Sequence, residues 1–402
     1  MSYRMTVVAV LAAWSVAGIG AAPAATPGTA AAGTSRLAWE LVRASGEQDA
    51  VVSPASVWEA LAMTHAGARG ETAAEIAAVL GMPDERGAIA AAAATLRGDV
   101  DGVRSETVTL ETATRLWTQR GKPLDSDFTA LLESSYGAAA GIVDFAAHPE
   151  DARAEINRWV GDHTTERIGE LLAPGSVSVD TRVVLTSAVF MKALWDVPFE
   201  KAATAEGSFT LADGTEVAVP LMRRRARLIA GTSGSGGAAA TICEIPYDGE
   251  RLVMVLVVPT AREGLPAVLA GLDGDWRESV TAAKRRQVVL ALPRWTSRQR
   301  LSLKAALESL GMRRAFVRGR ADFSGVNGGQ DLVVSDVVHE GFVEVTEEGT
   351  EAAAATGVVI DTRSAVAPEK PLEVIADRPF AWAIVAQRTG AVLFAGTVTD
   401  PR

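Results

Sequence analysis

The sequence predicts an α+β chain, and three features carry that prediction. Apolar residues recur at helical spacing in separate stretches, as with Leu37, Leu41 and Val42, or Ile156, Trp159 and Val160. Other stretches, such as 182–192, 241–247 and 252–258, are apolar and β-rich, with Asp248-Gly249 turning between the last two. A third kind of stretch, 343–364 (VEVTEEGTEAAAATGVVIDTRS), is built around small residues yet lies between two strand-like runs. At 402 residues and 48% hydrophobic, the chain can bury a large core. No internal repeat divides it.

The N-terminus reads as a secretory signal over residues 1–24. Arg4 supplies the charge, and residues 6–20 form an apolar run short for a bilayer span. Ala22-Pro23-Ala24 offers the small residues of a cleavage site, with Gly20-Ala21-Ala22 as a neighbouring option and an uncleaved anchor as the alternative. No cysteine follows the run, which excludes a lipoprotein anchor. Residues 25–34, rich in Ala, Thr, Pro and Gly, read as a flexible spacer. One domain is expected over 35–402, on a protein that acts outside the cytoplasm, extracellular or periplasmic.

Along that domain, residues 35–45 read as a helix. Ser53 then precedes helix 57–66, closed by Gly67, and helix 71–80 is stopped by Gly81 and Pro83. Strand 110–117, helix 125–136, strand 142–145 and amphipathic helix 152–165 follow. Asp213-Gly214 forms a hairpin tip, and a basic cluster, Arg223–Arg225 with Arg227, reads as a solvated strand edge, with a polyanion site as the alternative. Strand 288–295 leads to helix 301–310, stopped by Gly311.

The stretch 343–364 opens as a strand, with Val343 and Val345 alternating with Glu344 and Thr346. Read with a period of two, Thr350, Ala352, Ala354, Thr356, Val358 and Ile360 share one face. Glu351, Ala353, Ala355, Gly357, Val359 and Asp361 share the other, which carries the charges. The segment is weakly structured as a loop yet patterned to become a strand, and its small side chains ease passage between two existing strands. An Ala/Glu surface helix is the alternative, against which Gly349, Gly357 and the β-branched flanks argue.

Composition excludes several functions. A net charge of −10 argues against general nucleic-acid binding. The single Cys243 rules out an intramolecular disulfide, and its apolar surroundings make it a core residue. His65, His148, His163 and His339 show no HExxH spacing, and the chain has no GxSxG elbow and no SxxK. No metal, no cofactor and no enzymatic activity are expected.

Several ordered motifs resemble the serpin family of serine-protease inhibitors. They are 53–82 (SPASVWEALAMTHAGARGETAAEIAAVLGM), 183–199 (VVLTSAVFMKALWDVPF), 321–326 (ADFSGV), the closing strands 376–380, 382–386 and 393–398, and the hinge. The hinge comprises Glu347, Glu348, Gly349, Thr350, Glu351, Ala352, Ala353, Ala354, Ala355 and Thr356. The resemblance covers about 35–401. It implies three β-sheets surrounded by about eight or nine helices, with an exposed reactive-centre loop. It also implies that Ser53, Ser56 and His339 lie where the central sheet opens, sharing a hydrogen-bond cluster with an Asn for which this chain has Ser187. Ser187 is shorter, so water-mediated contact with His339 is expected. Ala193 also departs from the family's Gly.

In inhibitory serpins the bait residue usually lies fourteen positions after the hinge glycine, which here gives Arg363 followed by Ser364. An Arg-Ser bond suits a trypsin-like protease. The segment from Arg363 to Pro379 is longer than the family leads one to expect, so cuts after Ile360 or Ala365 are alternatives; Lys370 is disfavoured by Pro371. The resemblance implies a 1:1 covalent complex with the protease and a monomer capable of loop–sheet polymers. No nucleic-acid or membrane partner is expected. A non-inhibitory binder with the same fold is the alternative function.

Overall fold

The computed structural model describes residues 29–46, 49–121, 123–273, 276, 283–350 and 370–402. Residues 1–24 and residues 351–369, which contain Glu351–Thr356 of the expected hinge, Arg363 and Ser364, lie outside the described residues. Nine α-helices and fifteen strands occur among them.

Helix α1 (Ala30–Ala44) is capped by Thr29, whose hydroxyl accepts from the Ala32 amide. Ala30–Thr34 were expected in the flexible spacer and instead form its first turn. Tertiary packing holds them there: a Cβ on Gly33 would lie 2.3 Å from Trp58 Nε1 and 2.4 Å from the Leu80 carbonyl, so only glycine lets the helices approach this closely. Helix α2 (Pro54–Gly67) starts with proline at its first turn and is buried on nearly every residue. Helix α3 (Gly70–Leu80) ends at Gly81 in the left-handed region, as the sequence suggests. Helix α4 (Arg86–Val103) was not anticipated; half of its apolar face of Ile89, Ala90, Ala93 and Leu96 is alanine. Next come α5 (Ser126–Leu131), which runs on into a π-helical turn Leu132–Tyr136, and α6 (Pro149–His163). Short helices α7 (Leu265–Gly271), α8 (Lys304–Ser309) and α9 (Ser324–Asn327) complete the set.

The strands are β1 (Val51–Val52), β2 (Val108–Gln119), β3 (Gly141–Val143), β4 (Val183–Leu194), β5 (Ala205–Thr210) and β6 (Glu216–Ser233). They continue as β7 (Ala240–Pro246), β8 (Leu252–Pro259), β9 (Lys284–Pro293), β10 (Trp295–Ser302), β11 (Val334–Val345) and β12 (Gly349–Thr350). The last are β13 (Leu372–Ile375), β14 (Phe380–Ala386) and β15 (Val392–Val398). Helix α8 starts later than the expected residue 301 because Leu301 and Ser302 still pair with His339 and Val338 of β11.

One sheet runs β10-β11-β12-β4-β2-β3. The other runs β1-β15-β14-β8-β7-β6-β9-β13, with β5 on β6. Two of the expected three sheets are continuous here because β6 pairs with β5 and β9 along its first part and with β7 at its end. Strand β4 is buried on both faces. Its odd residues, such as Leu185 and Val189, join the main core, while Val184 and Ala188 join a second cluster under Ile156 and Val160 of α6. Cys243 is fully buried, and burial pushes its thiol up to about 12, so it is an inert core group.

Candidate functional site

The six-stranded sheet contains a slot. Strands β11 and β4 pair in parallel from Val334–Val183 up to Phe342–Phe190. Beyond that rung they part, and the Phe190 and Phe342 rings stack at the fork with centroids 6.3 Å apart. Arg167 lies over the Phe190 ring at 5.6 Å.

The opening is filled by the chain that follows β11. Strand β11 ends at Val345, the backbone turns through Thr346–Glu348, and β12 returns between β11 and β4. Thr350 pairs with Val345 on one side and Ala193 on the other, and Gly349 pairs with Leu194. A Cβ on Gly349 would lie 2.0 Å from the Ala193 carbonyl oxygen, so glycine is required by space. Thr350 is completely buried, and its hydroxyl is 2.7 Å from the Tyr247 hydroxyl. Burial raises the Tyr247 phenol, which therefore stays protonated. Tyr247 in turn stacks on Trp195, centroids 4.5 Å apart. Thr350 thus faces the core, on the face that the period-two reading gave it.

The turn is anchored by both its backbone and its acids. The Phe199 and Trp195 amides donate to the carbonyls of Glu347 and Glu348 at 2.8 and 2.9 Å. Trp195 Nε1 donates to the Thr346 carbonyl at 3.0 Å. The Glu347 carboxylate, 2% exposed, accepts from the Thr204 hydroxyl at 2.6 Å and from the Arg294 guanidinium. Burial alone would raise its pKa, but those donors outweigh it and hold the group below the usual glutamate value. Glu348 pairs with Lys201.

Lower in the slot, the fold brings Ser53, Ser56, Ser187 and His339 together. The β11–β4 register sets His339 opposite Ser187. Ser187 Oγ reaches His339 Nδ1 directly at 3.0 Å and donates to Ser56 Oγ at 2.7 Å. The expected water between Ser187 and His339 is therefore not needed: adjacent positions on paired strands are close enough for the shorter side chain. The Ser53 amide donates to His339 Nε2 at 2.9 Å, and the Ser53 hydroxyl caps α2 by accepting from the Ser56 amide. Because Nε2 is an acceptor, the neutral ring carries its proton on Nδ1, which donates to the Ser187 carbonyl at 2.9 Å.

Burial pushes His339 down to about 4, against the opposing effect of the Ser187 backbone bond. The folded state favours neutral His339, so this contribution to stability is complete above about pH 6.5 and is lost as pH falls towards 4. At about 1.4 kcal/mol per unit it amounts to roughly 3 kcal/mol. Urea midpoints between pH 7 and pH 4 should fall more steeply for wild type than for His339→Gln. Parallel profiles would remove His339 as the titrating group.

Sequence reasoning missed several partners: Tyr247 for Thr350, Arg294 and Thr204 for Glu347, Lys201 for Glu348, and the Phe190–Phe342 fork. None carries a local motif; each is set by pairing between distant segments. Among the described residues, no group of three or more His, Cys, Asp or Glu could hold a metal ion. No helix of the described residues is long and apolar enough to cross a membrane.

Fold and slot together define a protein whose six-stranded sheet takes in Gly349 and Thr350, the residues that follow its own strand β11 and turn. Comparison with known proteins agrees. The family model described as "Serpin (serine protease inhibitor)" matches residues 32–401. A serine protease inhibitor of Cyanea capillata is 33% identical over 365 residues, covering 90% of this chain and 94% of that protein. Among solved structures, Serpin48 of Tenebrio molitor superposes with a TM-score of 0.80 at 29% identity, covering 93% of this chain and 98% of the other. The native state of the thermophilic serpin tengpin gives 0.82 at 27% identity, covering 92% and 93%. The chain belongs to the serpin family.

Proposed function

We propose that this chain is a suicide-substrate inhibitor of trypsin-like serine proteases, cleaved after Arg363. The observation that carries the reading is the seated Gly349–Thr350 pair: the first rung of a new strand between β11 and β4 exists in the intact chain, with Thr350 already facing the core. In this reading the protease serine attacks the Arg363 carbonyl, the amine of Ser364 leaves, and an ester links Arg363 to the enzyme. The freed segment then zips on from Thr350. Continuing the observed register one for one with β4 sets Thr356 beside Ser187 and Ile360 beside Val183. At about 3.3 Å per residue, fourteen residues carry the tethered protease roughly 45 Å along the sheet. Pulling the enzyme against the sheet distorts its active site, and water no longer completes deacylation. In this reading the protease supplies every catalytic group. Secretion after removal of residues 1–24 is part of the same proposal, and the mature N-terminus of exported protein tests it.

The experiment is incubation with trypsin. A band that survives boiling in detergent is expected for wild type, with mass spectrometry placing the cut at Arg363-Ser364. Arg363→Ala should lower the rate of trypsin inhibition by at least 100-fold, because the acidic specificity pocket loses its guanidinium partner. An unchanged rate moves the bait bond to another position, with Ile360 and Ala365 the first to check. Clean cleavage of wild type without a complex overturns the inhibitory reading.

A further inference from the structure

A cavity of about 400 Å³ lies beside the slot, outside the loop chemistry above. It is bounded by α2, α4, β2 and the π-helical turn, and opens at the edge of the sheet where β3 no longer covers β2. That volume suits a small organic ligand. Its walls are apolar over Leu110, Val189 and Phe394.

Three polar groups facing this space are uncommitted. Thr114, 8% exposed and opposite Ser187 on the paired strands, has a buried hydroxyl with no hydrogen-bond partner. Arg97 Nη1 is likewise buried without one. The guanidinium lies against Gly137, where a Cβ would come within 2.3 Å of Nη1; Gly137, at φ +62°, leaves the room that Arg97 occupies. The Glu59 carboxyl, on half-buried Glu59 of α2, lies within electrostatic reach of Arg97 and Arg104 yet forms no ion pair with either. Several other polar groups lining it are engaged. Arg104 bonds Asp101 and the Leu110 carbonyl. Arg115 bonds the Ala139 carbonyl and lies over the rings of Trp117 and Trp159. The Tyr136 hydroxyl donates to the Ala62 carbonyl, and His163 Nδ1 bonds the Trp159 carbonyl. A buried guanidinium nitrogen and a buried hydroxyl, neither bonded within the protein and both beside an apolar wall, are complementary to one kind of guest.

We propose that this cavity binds a small carboxylate with an apolar body, its oxygens taking Arg97 and the Thr114 hydroxyl and its body lying on Leu110, Val189 and Phe394. Glu59 assists as a proton carrier. Burial raises its pKa to about 7, against the lowering effect of Arg97, so at neutral pH it can hold a proton and donate it to the bound carboxylate. The charged and titratable groups around it are Arg97 and Asp101 from α4, Arg104 just after that helix, Tyr136 from the π-helical turn, Arg115 from β2 and His163 from α6. Above its pKa, Glu59 repels the guest, so affinity falls as pH rises from 6 to 8.

Isothermal titration of the intact chain with octanoate tests this directly, with octylamine as the charge-reversed probe. Saturable octanoate binding is expected, weakened at least tenfold in Arg97→Gln and severalfold in Thr114→Val, with Arg97→Lys keeping part of it. Glu59→Gln should bind octanoate with no pH dependence between 6 and 8. Unchanged melting curves of the variants exclude misfolding as the cause, and the partial binding of Arg97→Lys serves if Arg97→Gln does not fold. Absence of saturable heat at millimolar octanoate, equal affinity in wild type and Arg97→Gln, or preferential uptake of octylamine overturns the assignment. None of these readouts uses a protease, so they stand or fall apart from the inhibitory reading.

Discussion

Thr350→Arg is expected to turn the chain from inhibitor into substrate: trypsin cuts the loop cleanly, and no covalent complex remains. The geometry makes this the most damaging single change in the hinge. Thr350 is fully buried between Val345 and Ala193, with its hydroxyl on Tyr247. An arginine at that position would bury a guanidinium with no acid facing it, at a cost of several kcal/mol. Strand β12 would leave the slot, and the first rung from which the rest must propagate would be lost. Deacylation takes seconds or less in an undistorted protease, so even a modest delay in insertion diverts the reaction to hydrolysis. Thr350→Val is the control. It keeps the shape and loses only the bond to Tyr247, a cost of about 1–3 kcal/mol for the hydroxyl left unpaired, and should still trap the enzyme. Full inhibition by Thr350→Arg would show that insertion does not begin at this residue.

Much of this arrangement was legible in the sequence, for particular reasons. The start of the hinge could be read because period two survives up to it: Thr350, the one described residue of the expected inward face, is buried. Ser53 could be read because a Ser-Pro pair ahead of an apolar run is a local capping signal, and the structure gives it that role. Helix α4 escaped notice because alanine fills both its buried and exposed positions, which erases the contrast that periodicity depends on. The start of α1 was mistaken for a spacer for the same reason, since its order comes from Gly33 packing on Trp58. Ser187 was judged too short for His339 because side-chain length was weighed without the strand register that places the two opposite each other. The partners that hold the hinge, Tyr247 and Arg294, lie far from it along the chain, and no pattern within either segment announces the contact.

The nicked chain should melt at least about 10 °C above the intact one. Insertion exchanges one ladder for two. The parallel β11–β4 pairing from Val334–Val183 to Phe342–Phe190 must open, and an antiparallel ladder can then form on each side of the new strand. Opening costs the His339 bonds to Ser53 and Ser187 and the Phe190–Phe342 stack. Ordering the loop costs a further 1–2 kcal/mol per residue of backbone entropy. Three features act on the other side. Each inserted residue gains strand hydrogen bonds worth about 1 kcal/mol net. The inward face from Thr350 to Ile360 leaves water. Alanine and glycine, which dominate 352–357, lose almost no side-chain entropy when fixed. A surplus of ~8 kcal/mol would raise the melting temperature by about 10 °C in a chain of this size. The measurement is a pair of thermal scans, on intact chain and on chain cut within 351–369 by a metalloprotease, which forms no acyl-enzyme to be trapped. A cut chain that melts no higher than the intact one would mean that the slot admits Gly349 and Thr350 and nothing beyond them.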